Sequence, residues 1–379
     1  MKQIYLDYNA TTPISPRVVE SMQPFLSGHY GNPSSSHALG RAAKEAIQDA
    51  RSKLSRLLGC DSEEIIFTSG GTESNNLAIK GILMQYPPGQ AHLIISAIEH
   101  PAVTSPAEFL RRLGYGVTVV GCSSNGIVDP MEVGNAIESN TKLVSIMHAN
   151  NEIGTIQPIR EIAQICHQRG VLVHTDASQS VGKIPTSVDA LEVDMLTVAG
   201  HKLYAPKGVG ALYVQQGLGL EPLLHGASHE NGLRAGTENT PYIVGLGAAA
   251  IEAMENLDQA TVKLEEKRDR LAELLLESIP DAKINGEGED RLPNTLSISF
   301  PETRGQKMLA RSPELCASTG SACHSSGKTE SVTLSAMGRD ADHIAGTIRL
   351  SLGWLTTDED VDRAASLLID AWETRTVHA

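Results

Sequence analysis

The sequence predicts an α/β fold built around a largely parallel β-sheet. From about residue 40 onward, short β-rich runs alternate with segments whose apolar residues recur at helical spacing. The chain has 41% apolar and 20% charged residues, which is typical of a globular protein and excludes a disordered or fibrous one. Its 379 residues leave room for two or three domains of roughly 150 residues each.

The individual elements follow in order along the chain. Runs of β-branched and other apolar residues predict strands at 65–68, 93–96, 116–120, 143–147, 171–175 and 195–198. Helical spacing predicts a helix at 40–58, before the first of these strands, and further helices between most of them, such as 159–168. After Pro241 the alternation weakens. The remaining pattern predicts one or two long helices over 243–278, strands at 294–300 and 347–352, and a last helix over 359–372.

Charge and hydropathy exclude several classes of function. With 31 basic and 45 acidic residues, the chain carries a formal charge of −14, which disfavours nucleic-acid binding by bulk electrostatics. Its longest apolar stretch, residues 242–254, is shorter than the roughly 20 residues that cross a bilayer. The first residues lack the apolar core of a signal peptide. We therefore expect a cytoplasmic protein that contacts neither membranes nor nucleic acid directly.

The cysteines and histidines do not predict a metal site. The five cysteines, at 60, 122, 166, 316 and 323, are an odd number and form no Cys-x-x-Cys pair. A zinc ribbon or a disulfide framework is therefore not expected. His225 and His229 have the spacing of metal ligands, but the residues around them predict a loop without a nearby third ligand. We interpret them as part of the rim of an active site.

Four predicted strands are followed by residues suited to binding and catalysis, at the sheet edge where α/β proteins bind ligands. After 65–68, the small residues 69–71 and Thr72 precede a helical pattern. This is typical either of a phosphate site at a helix N-terminus or of a tight strand–helix turn. After 93–96 comes His100, which either stacks on a planar ligand and moves a proton or is an ordinary hydrogen-bonded loop histidine.

The other two strand ends carry a carboxylate and a lysine. Asp176 follows 171–175, with Gln179 about one helical turn later, and it either holds a cationic ring nitrogen or caps a helix. Lys202 follows 195–198 and precedes a Gly/Pro loop. A partly buried lysine has a lowered pKa and can form a Schiff base. The alternative is a lysine whose stem packs while its charge reaches water.

Together these four features fit pyridoxal 5′-phosphate. In that chemistry a lysine binds the aldehyde, and a carboxylate keeps the pyridine ring protonated so that the ring acts as an electron sink. The rival cofactor is a dinucleotide, but its Gly-x-Gly-x-x-Gly motif does not follow the first predicted strand.

The ordered motifs of the chain resemble the cysteine desulfurases of the class V aminotransferase family. The residues that carry the resemblance are 5–13 (YLDYNATTP), 31–37 (GNPSSSH), 70–76 (GGTESNN), 150–154 (NNEIG), 174–180 (HTDASQS), 200–202 (GHK), 234–239 (RAGTEN) and 320–325 (GSACHS). The resemblance implies the pyridoxal-phosphate-dependent transferase fold of type I. It implies a large cofactor-binding domain over 16–260 with a mainly parallel seven-stranded sheet, and a smaller α+β domain formed by 1–15 plus 261–379.

The resemblance also implies roles for single residues. The implied cofactor ligands are Gly71, Thr72, His100, Asn151, Asp176, Gln179, His201, Lys202 and Thr237. Lys202 would bind the aldehyde, and Asp176 would partner the pyridine nitrogen. Gln179 would bond the ring hydroxyl, and His100 would stack on the ring and act in catalysis. Thr237 would reach the phosphate from the other subunit of a homodimer.

Asn151 and Arg349 are the implied substrate ligands, with Arg349 binding the substrate carboxylate. One position departs from the family pattern: Ala199 stands where relatives often have a serine, three residues before the lysine. The alanine removes a hydroxyl donor to the phosphate. This should weaken cofactor binding by about 1.5–3 kcal/mol unless water or a neighbouring group substitutes.

Cys323 is the predicted catalytic thiol. The surrounding stretch, from 317 to 335, is rich in Gly, Ser and Thr and predicts a mobile loop, which suits a thiolate that must reach substrate and then an acceptor. His324, Arg349 and the cofactor could each favour the thiolate. The other four cysteines lie in apolar or helical patterns and are expected to be small buried hydrophobes.

These roles imply that the chain removes sulfur from L-cysteine, giving L-alanine and a persulfide on Cys323. The sulfur would pass to an acceptor protein such as an iron–sulfur scaffold or a nucleic-acid thiolation enzyme. Selenocysteine lyase is the close alternative, because the same fold and lysine serve C–Se cleavage. An alternative from another class is a catalytically idle scaffold for sulfur acceptors, which the intact Lys202, Asp176 and Cys323 disfavour.

Overall fold

A computed structural model of the chain describes residues 3–320 and 331–375. Its strands are β1 (Ile4–Tyr5), β2 (Ile65–Thr68), β3 (His92–Ser96), β4 (Gly116–Val120), β5 (Thr141–Ser145), β6 (Leu172–Asp176), β7 (Met195–Ala199), β8 (Gly210–Val214), β9 (Lys283–Ile284), β10 (Thr295–Ser299), β11 (Leu315–Cys316) and β12 (Thr347–Ser351). Its helices are α1 (Pro16–Ser27), α2 (Ala38–Leu58), α3 (Gly71–Leu83), α4 (Pro101–Arg112), α5 (Pro130–Ala136), α6 (Ile159–His167), α7 (Val188–Leu191), α8 (Thr240–Ser278), α9 (Gly305–Arg311), α10 (Val332–Ala336), α11 (Ala341–Ala345) and α12 (Asp358–Glu373).

The largest sheet has seven strands in the order β2-β8-β7-β6-β5-β3-β4. All neighbouring pairs from β7 to β4 are parallel, whereas β8 runs antiparallel to both β7 and β2. Two successive antiparallel pairings restore the direction, so β2 points the same way as the parallel strands. This architecture confirms the predicted α/β fold with a mainly parallel sheet.

Both faces of the large sheet are covered. Successive residues of a strand point to opposite faces, and here they belong to two different apolar clusters. Ile94 packs in one cluster and its neighbours Leu93 and Ile95 in the other, and Val144 and Leu143 divide in the same way. Strands covered on both faces explain why the parallel strands appear in the sequence as nearly continuous apolar runs rather than as alternating ones.

A third apolar cluster forms around the remaining strands. The antiparallel sheet β12-β10-β9 packs with the C-terminal part of α8 and with α12, and the cluster also takes in Ile4 and Leu6 from the N-terminus. Along the continuous helix α8, Ala253 belongs to the first cluster and Leu264 to this third one. The domain limits at 15/16 and 260/261 stay a prediction.

The predicted elements match the structure closely, with differences at their ends. The single helix α8 covers the segment for which one or two helices were predicted. The strand predicted at 143–147 lies at Thr141–Ser145. Ile146 and Met147 are apolar and buried, but they lie beyond the last residue that pairs with β3. Strand β8 was not predicted.

Candidate active site

One cavity of about 500 Å³ opens at the carboxyl ends of the parallel strands. This volume is typical of small-molecule and cofactor sites. It is lined by nine of the predicted site residues, namely Gly71, Thr72, His100, Asn151, Asp176, Gln179, His201, Lys202 and Arg349. The segments that follow β2, β3, β5, β6 and β7 meet here because these five strands point in one direction.

The N-terminus of α3 forms a cradle suited to an anion. Gly70 precedes the helix with a φ of 147°, a conformation that favours glycine. A Cβ atom on Gly71 would lie 2.9 Å from Ser178 Oγ and 3.3 Å from the Ala199 methyl, so the cradle closes only around a glycine. The first backbone N–H groups of a helix lack partners within it, and here the first two residues of the helix, Gly71 and Thr72, border the cavity. These residues fit a phosphate group.

Asp176 ends β6 and is buried. Its carboxylate accepts hydrogen bonds from Asn75 Nδ2 at 2.7 Å and from the Ser178 N–H at 2.9 Å. Burial alone would raise the pKa of this carboxyl, but the hydrogen bonds from Ser178, with help from His100 and Asn75, hold the pKa below its usual value. A carboxylate kept ionised at this place can bind a protonated ring nitrogen.

His100 caps α4 at the end of the segment that follows β3. Its Nδ1 accepts a hydrogen bond of 3.1 Å from the Ala102 N–H, so the proton of the neutral ring lies on Nε2. Burial and the nearby charge of Lys202 lower the pKa of His100. The ring is therefore neutral near pH 7 and can both stack on a planar ligand and exchange a proton at Nε2.

Lys202 ends the short 3₁₀ turn Gly200–Lys202 that directly follows β7. It is partly buried and borders the cavity together with Ala199, which has only a methyl group to offer there. The preceding His201 places its Nδ1 3.1 Å from Thr11 Oγ1. Burial and the charge of Lys202 lower the pKa of His201 to about 4, so this ring is neutral and can donate a single hydrogen bond.

Arg349 brings β12 of the third cluster to the same cavity. Its Nη2 donates to Asp7 Oδ1 at 2.7 Å and its Nη1 donates to the Asn151 carbonyl at 3.0 Å. The side chain is 2% exposed, and its buried Nε has no partner among the groups that the structure describes. These contacts fix the plane of the guanidinium and use two of its five N–H groups, so others remain for a carboxylate.

Gln179 lies beyond Asp176 with both ends of its amide engaged. Its Nε2 donates to the Asn9 carbonyl at 3.0 Å, and its Oε1 accepts a hydrogen bond of 3.0 Å from Lys183. An amide nitrogen carries two N–H groups, so one remains for a ligand in the cavity.

Two predicted residues are not brought to this cavity by the described chain. Thr237 is exposed, three residues after Arg234, whose Nε donates to Glu73 of α3 at 3.0 Å. Its predicted contact with phosphate would come from a second subunit, which a single chain does not test. Cys323 lies outside the described residues, as does its neighbour His324.

The other four cysteines are poor candidates for the working thiol. None of them borders the cavity in the part of the chain that the structure describes. Burial raises the pKa of Cys60 and of Cys166 to about 12, and it also raises the pKa of Cys122. Cys316 Sγ lies 2.8 Å from Gln3 Oε1, at the pairing of β11 with β1.

The sequence reasoning missed several polar residues of the site, and three of them form hydrogen bonds to predicted site residues. Asn9, Asn75 and Ser178 all border the cavity, and Asn75 and Ser178 hold Asp176. Each lies within a motif already singled out, at 5–13, 70–76 or 174–180. For Asn75 a signal was available, because it follows Thr72 by three residues on a predicted helix and therefore lies on the same helix face.

Comparison with known proteins agrees with this geometry. The family model for class-V aminotransferases matches residues 4–364. The cysteine desulfurase IscS of Dictyoglomus turgidum is 45% identical over 369 residues, which cover 97% of this chain and 94% of the relative. The cysteine desulfurase of Mus musculus is 41% identical over 97% of this chain and 81% of its own. The chain belongs to the cysteine desulfurase family.

Solved structures of this family superpose closely. A NifS-like protein gives a TM-score of 0.92 at 37% identity, covering 98% of this chain and all of the other. SspA in complex with cysteine gives 0.83 at 37% identity over 92% of this chain and 98% of the other. The pyridoxal-phosphate transferase fold of type I, expected from the motifs, is thereby confirmed.

The described residues contain neither a membrane-spanning helix nor a cluster of metal ligands. Among residues 3–320 and 331–375, no helix is both long and apolar enough to cross a membrane. Over the same residues, no group of three or more His, Cys, Asp and Glu side chains is placed to hold a metal ion. His229 instead lies 3.2 Å from Ser34 Oγ and 3.7 Å from a Glu238 carboxylate oxygen.

Proposed function

We propose that the protein is a pyridoxal 5′-phosphate-dependent cysteine desulfurase that forms L-alanine and a persulfide on Cys323. The observation that carries the proposal is the convergence of the α3 cradle, His100, Asp176 and Lys202 on one cavity, in a chain of the cysteine desulfurase family. The two alternatives, a selenocysteine lyase and an idle scaffold, become outcomes of the test below.

The cofactor would be held at both of its ends. Gly71, Thr72 and His201 would bind its phosphate, and Asp176 would keep its ring nitrogen protonated while Gln179 bonds the ring hydroxyl. When bound, pyridoxal 5′-phosphate supplies an aldehyde that joins amines and a cationic ring that takes up the electron pair released at the substrate Cα. His100 would cover the ring and exclude water from that face.

Lys202 would serve first as a covalent anchor and then as a base. Lys202 would hold the cofactor through its aldehyde until the substrate amine takes that place, and the released Lys202 amine would then accept the Cα proton. The substrate carboxylate would bind Arg349, whose guanidinium plane is fixed by Asp7 and the Asn151 carbonyl. This contact would orient the Cα–H bond toward Lys202 and the thiol toward Cys323.

Cys323 would take the sulfur as a thiolate. Its sulfur attacks the sulfur of the substrate, so an S–S bond forms while the Cβ–S bond breaks and its electron pair stays with the carbon skeleton. Protonation of that skeleton gives alanine. Cysteine plus the enzyme thiol become alanine plus the enzyme persulfide, and no outside oxidant or reductant is consumed. The raised pKa values of three other cysteines support Cys323 as the thiol that works.

We also propose that the enzyme is a cytoplasmic homodimer. The exposure of Thr237 in the single chain, together with the ion pair that ties the preceding Arg234 to Glu73 of the cradle helix, supports a site completed across a subunit interface. Sedimentation should show a dimer, and Thr237→Ala should loosen cofactor binding without changing the sedimentation. A monomer that keeps full cofactor affinity would contradict this assignment.

The test of the activity is turnover of L-cysteine by the purified, cofactor-loaded protein. We expect stoichiometric alanine, and mass spectrometry should place one added sulfur on the peptide that contains Cys323. Turnover of selenocysteine with no alanine from cysteine would identify a selenocysteine lyase. No turnover of either substrate would support the alternative of a catalytically idle scaffold. Labelled sulfur from cysteine, followed into co-purifying proteins, would identify the acceptor.

A further inference from the structure

Lys183 is a buried lysine that the proposed reaction does not use. It follows Gln179 by four residues, in the turn after β6, and is 8% exposed. Its Nζ donates to Gln179 Oε1 at 3.0 Å and lies 3.5 Å from Asn9 Oδ1. Both partners are neutral amides, and within residues 3–320 and 331–375 no carboxylate pairs with this ammonium. Burying an unpaired cation is unfavourable, so packing alone does not account for a lysine here.

The contacts of Lys183 lead directly to the cavity. Both of its partners, Gln179 and Asn9, border the cavity. With the Gln179 carbonyl held by Lys183 and one N–H held by the Asn9 carbonyl, the amide cannot flip without losing both hydrogen bonds. Asn9 is itself fixed, because its Oδ1 accepts from Asn294 at 3.1 Å and its Nδ2 donates to Thr295 at 2.8 Å.

Charge gives Lys183 a second effect on the same place. Burial, Lys202 and Arg349 together lower the pKa of Lys183 to about 7, so Lys183 lies close enough to Lys202 and to Arg349 to be repelled by both. Asp7 offsets Arg349. The remaining positive potential favours an anionic ligand atom at the Gln179 end of the cavity.

We propose that Lys183 is a positioning residue, which orients the Gln179 amide toward the ring oxygen of the bound cofactor and favours the anionic form of that oxygen. The inference rests on the proposed function, since it takes pyridoxal 5′-phosphate as the ligand of this cavity. A positioning role for Lys183 differs from a purely structural one in one measurable respect. Removing the charge of Lys183 changes the titration of the bound cofactor and not only the stability of the fold.

The test is a pH titration of the visible absorption of the loaded protein. Lys183→Met removes the charge and the hydrogen bonds, whereas Lys183→Gln removes the charge and keeps a donor. Both should raise the midpoint of the titration by up to about one pH unit. One full charge acting over several Å at an effective dielectric of about 20 has an effect of that order, and Lys183, with a pKa of about 7, carries this charge only in part near neutral pH. Lys53→Met, which removes a surface lysine paired with Asp49 on α2, should leave the midpoint in place.

Each outcome is decisive. Folded variants with an unchanged midpoint overturn the inference, even if their melting temperatures fall, because a structural role alone moves only the latter. Failure of both variants to fold would also overturn it, by making Lys183 structural. If the midpoint shifts in Lys183→Met but stays at the wild-type value in Lys183→Gln, the effect belongs to the hydrogen bond, and the claim about charge is overturned. If wild type shows no visible band, the cofactor assignment fails first and this inference fails with it.

Discussion

The Asp176 carboxylate accepts a hydrogen bond of 2.7 Å from the Asn75 amide, which bridges the end of β6 and helix α3. Asn75 lies one turn after Thr72, at the start of the same helix. A single helix thus provides both the anion cradle and a donor that keeps Asp176 ionised. The spacing between the two ends of the proposed cofactor site is set by rigid secondary structure.

Replacing Asp176 tests the electrostatic part of this arrangement. Asp176→Asn should lower the rate of alanine formation by about a hundredfold or more, because the neutral amide no longer favours a protonated ring nitrogen. Asn75→Ala is the matched control. It removes one donor but keeps the charge, so its loss should be clearly smaller. Equal losses in the two variants would show that the geometry of the pair matters and the charge does not.

Lys202→Ala should give a protein without the yellow colour of a lysine-bound aldehyde. The side chain borders the cavity directly after β7, and alanine cannot bind the aldehyde. The absorption spectrum of the loaded variant is the measurement. Lys207→Ala, which removes a second lysine that borders the cavity, should keep the colour. An unchanged visible spectrum in Lys202→Ala would exclude this lysine as the anchor.

Ala199→Ser should tighten cofactor binding by about tenfold or more. The Ala199 methyl faces Gly71 of the cradle, and a hydroxyl there could donate to the phosphate, a charge-assisted bond of about 1.5–3 kcal/mol. The rate of cofactor loss during dialysis is a suitable readout. Ala199→Cys gives similar bulk with a much weaker donor and should gain little. If Ala199→Ser also loses the cofactor as fast as the wild type, Ser178 or water already provides the hydrogen bond to the phosphate.

Glu99 predicts how stability depends on pH. It is buried, accepts hydrogen bonds from Ser96 at 2.6 Å and the Met147 N–H at 2.9 Å, and burial raises its pKa to about 8. A folded-state pKa above the unfolded value of about 4.5 stabilises the fold at low pH, and this contribution is lost as the pH rises through 8.

Glu99→Gln should remove that dependence. Urea unfolding at pH 5 and pH 9 should show the wild type losing stability relative to the variant by more than about 1 kcal/mol between these values, since each pKa unit corresponds to about 1.4 kcal/mol. Glu108→Gln, on the exposed face of α4, serves as the control and should show no such difference. Parallel stability curves for wild type and Glu99→Gln would refute the raised pKa.

The sequence predicted most of the large sheet because its parallel strands are buried on both faces and stand out as apolar runs. Strand β8 was not predicted, and the reason is physical. It follows β7 after a short Gly/Pro loop without an intervening helix, so the strand–helix–strand rhythm does not single it out. Its neighbours β2 and β7 lie far apart in sequence, and only tertiary pairing inserts it between them.

The site was predictable as far as residues at strand ends were concerned. Asp176, His100 and Lys202 follow strands whose directions bring them to one edge. Some contacts that support them are local, such as the Ser178 N–H to Asp176, but others join residues far apart in the sequence and leave no local pattern. Arg349 borders the cavity from a different sheet and is held there by Asp7, and Lys183 contacts the cavity residue Gln179, so only the folded chain reveals these links.

Alanine formation from L-cysteine by Cys323→Ser tests the central claim most directly. Serine is nearly isosteric with cysteine, so the variant should fold, bind the cofactor and keep the chemistry of Lys202, but its hydroxyl cannot act as the nucleophile that accepts sulfur. We predict that alanine production from cysteine is abolished, while turnover of selenocysteine, whose C–Se bond is weaker, falls far less. Cys316→Ser, in the pairing of β11 with β1, should behave as wild type. Alanine production from cysteine at the wild-type rate by Cys323→Ser would contradict the account, because another group would then have to take the sulfur.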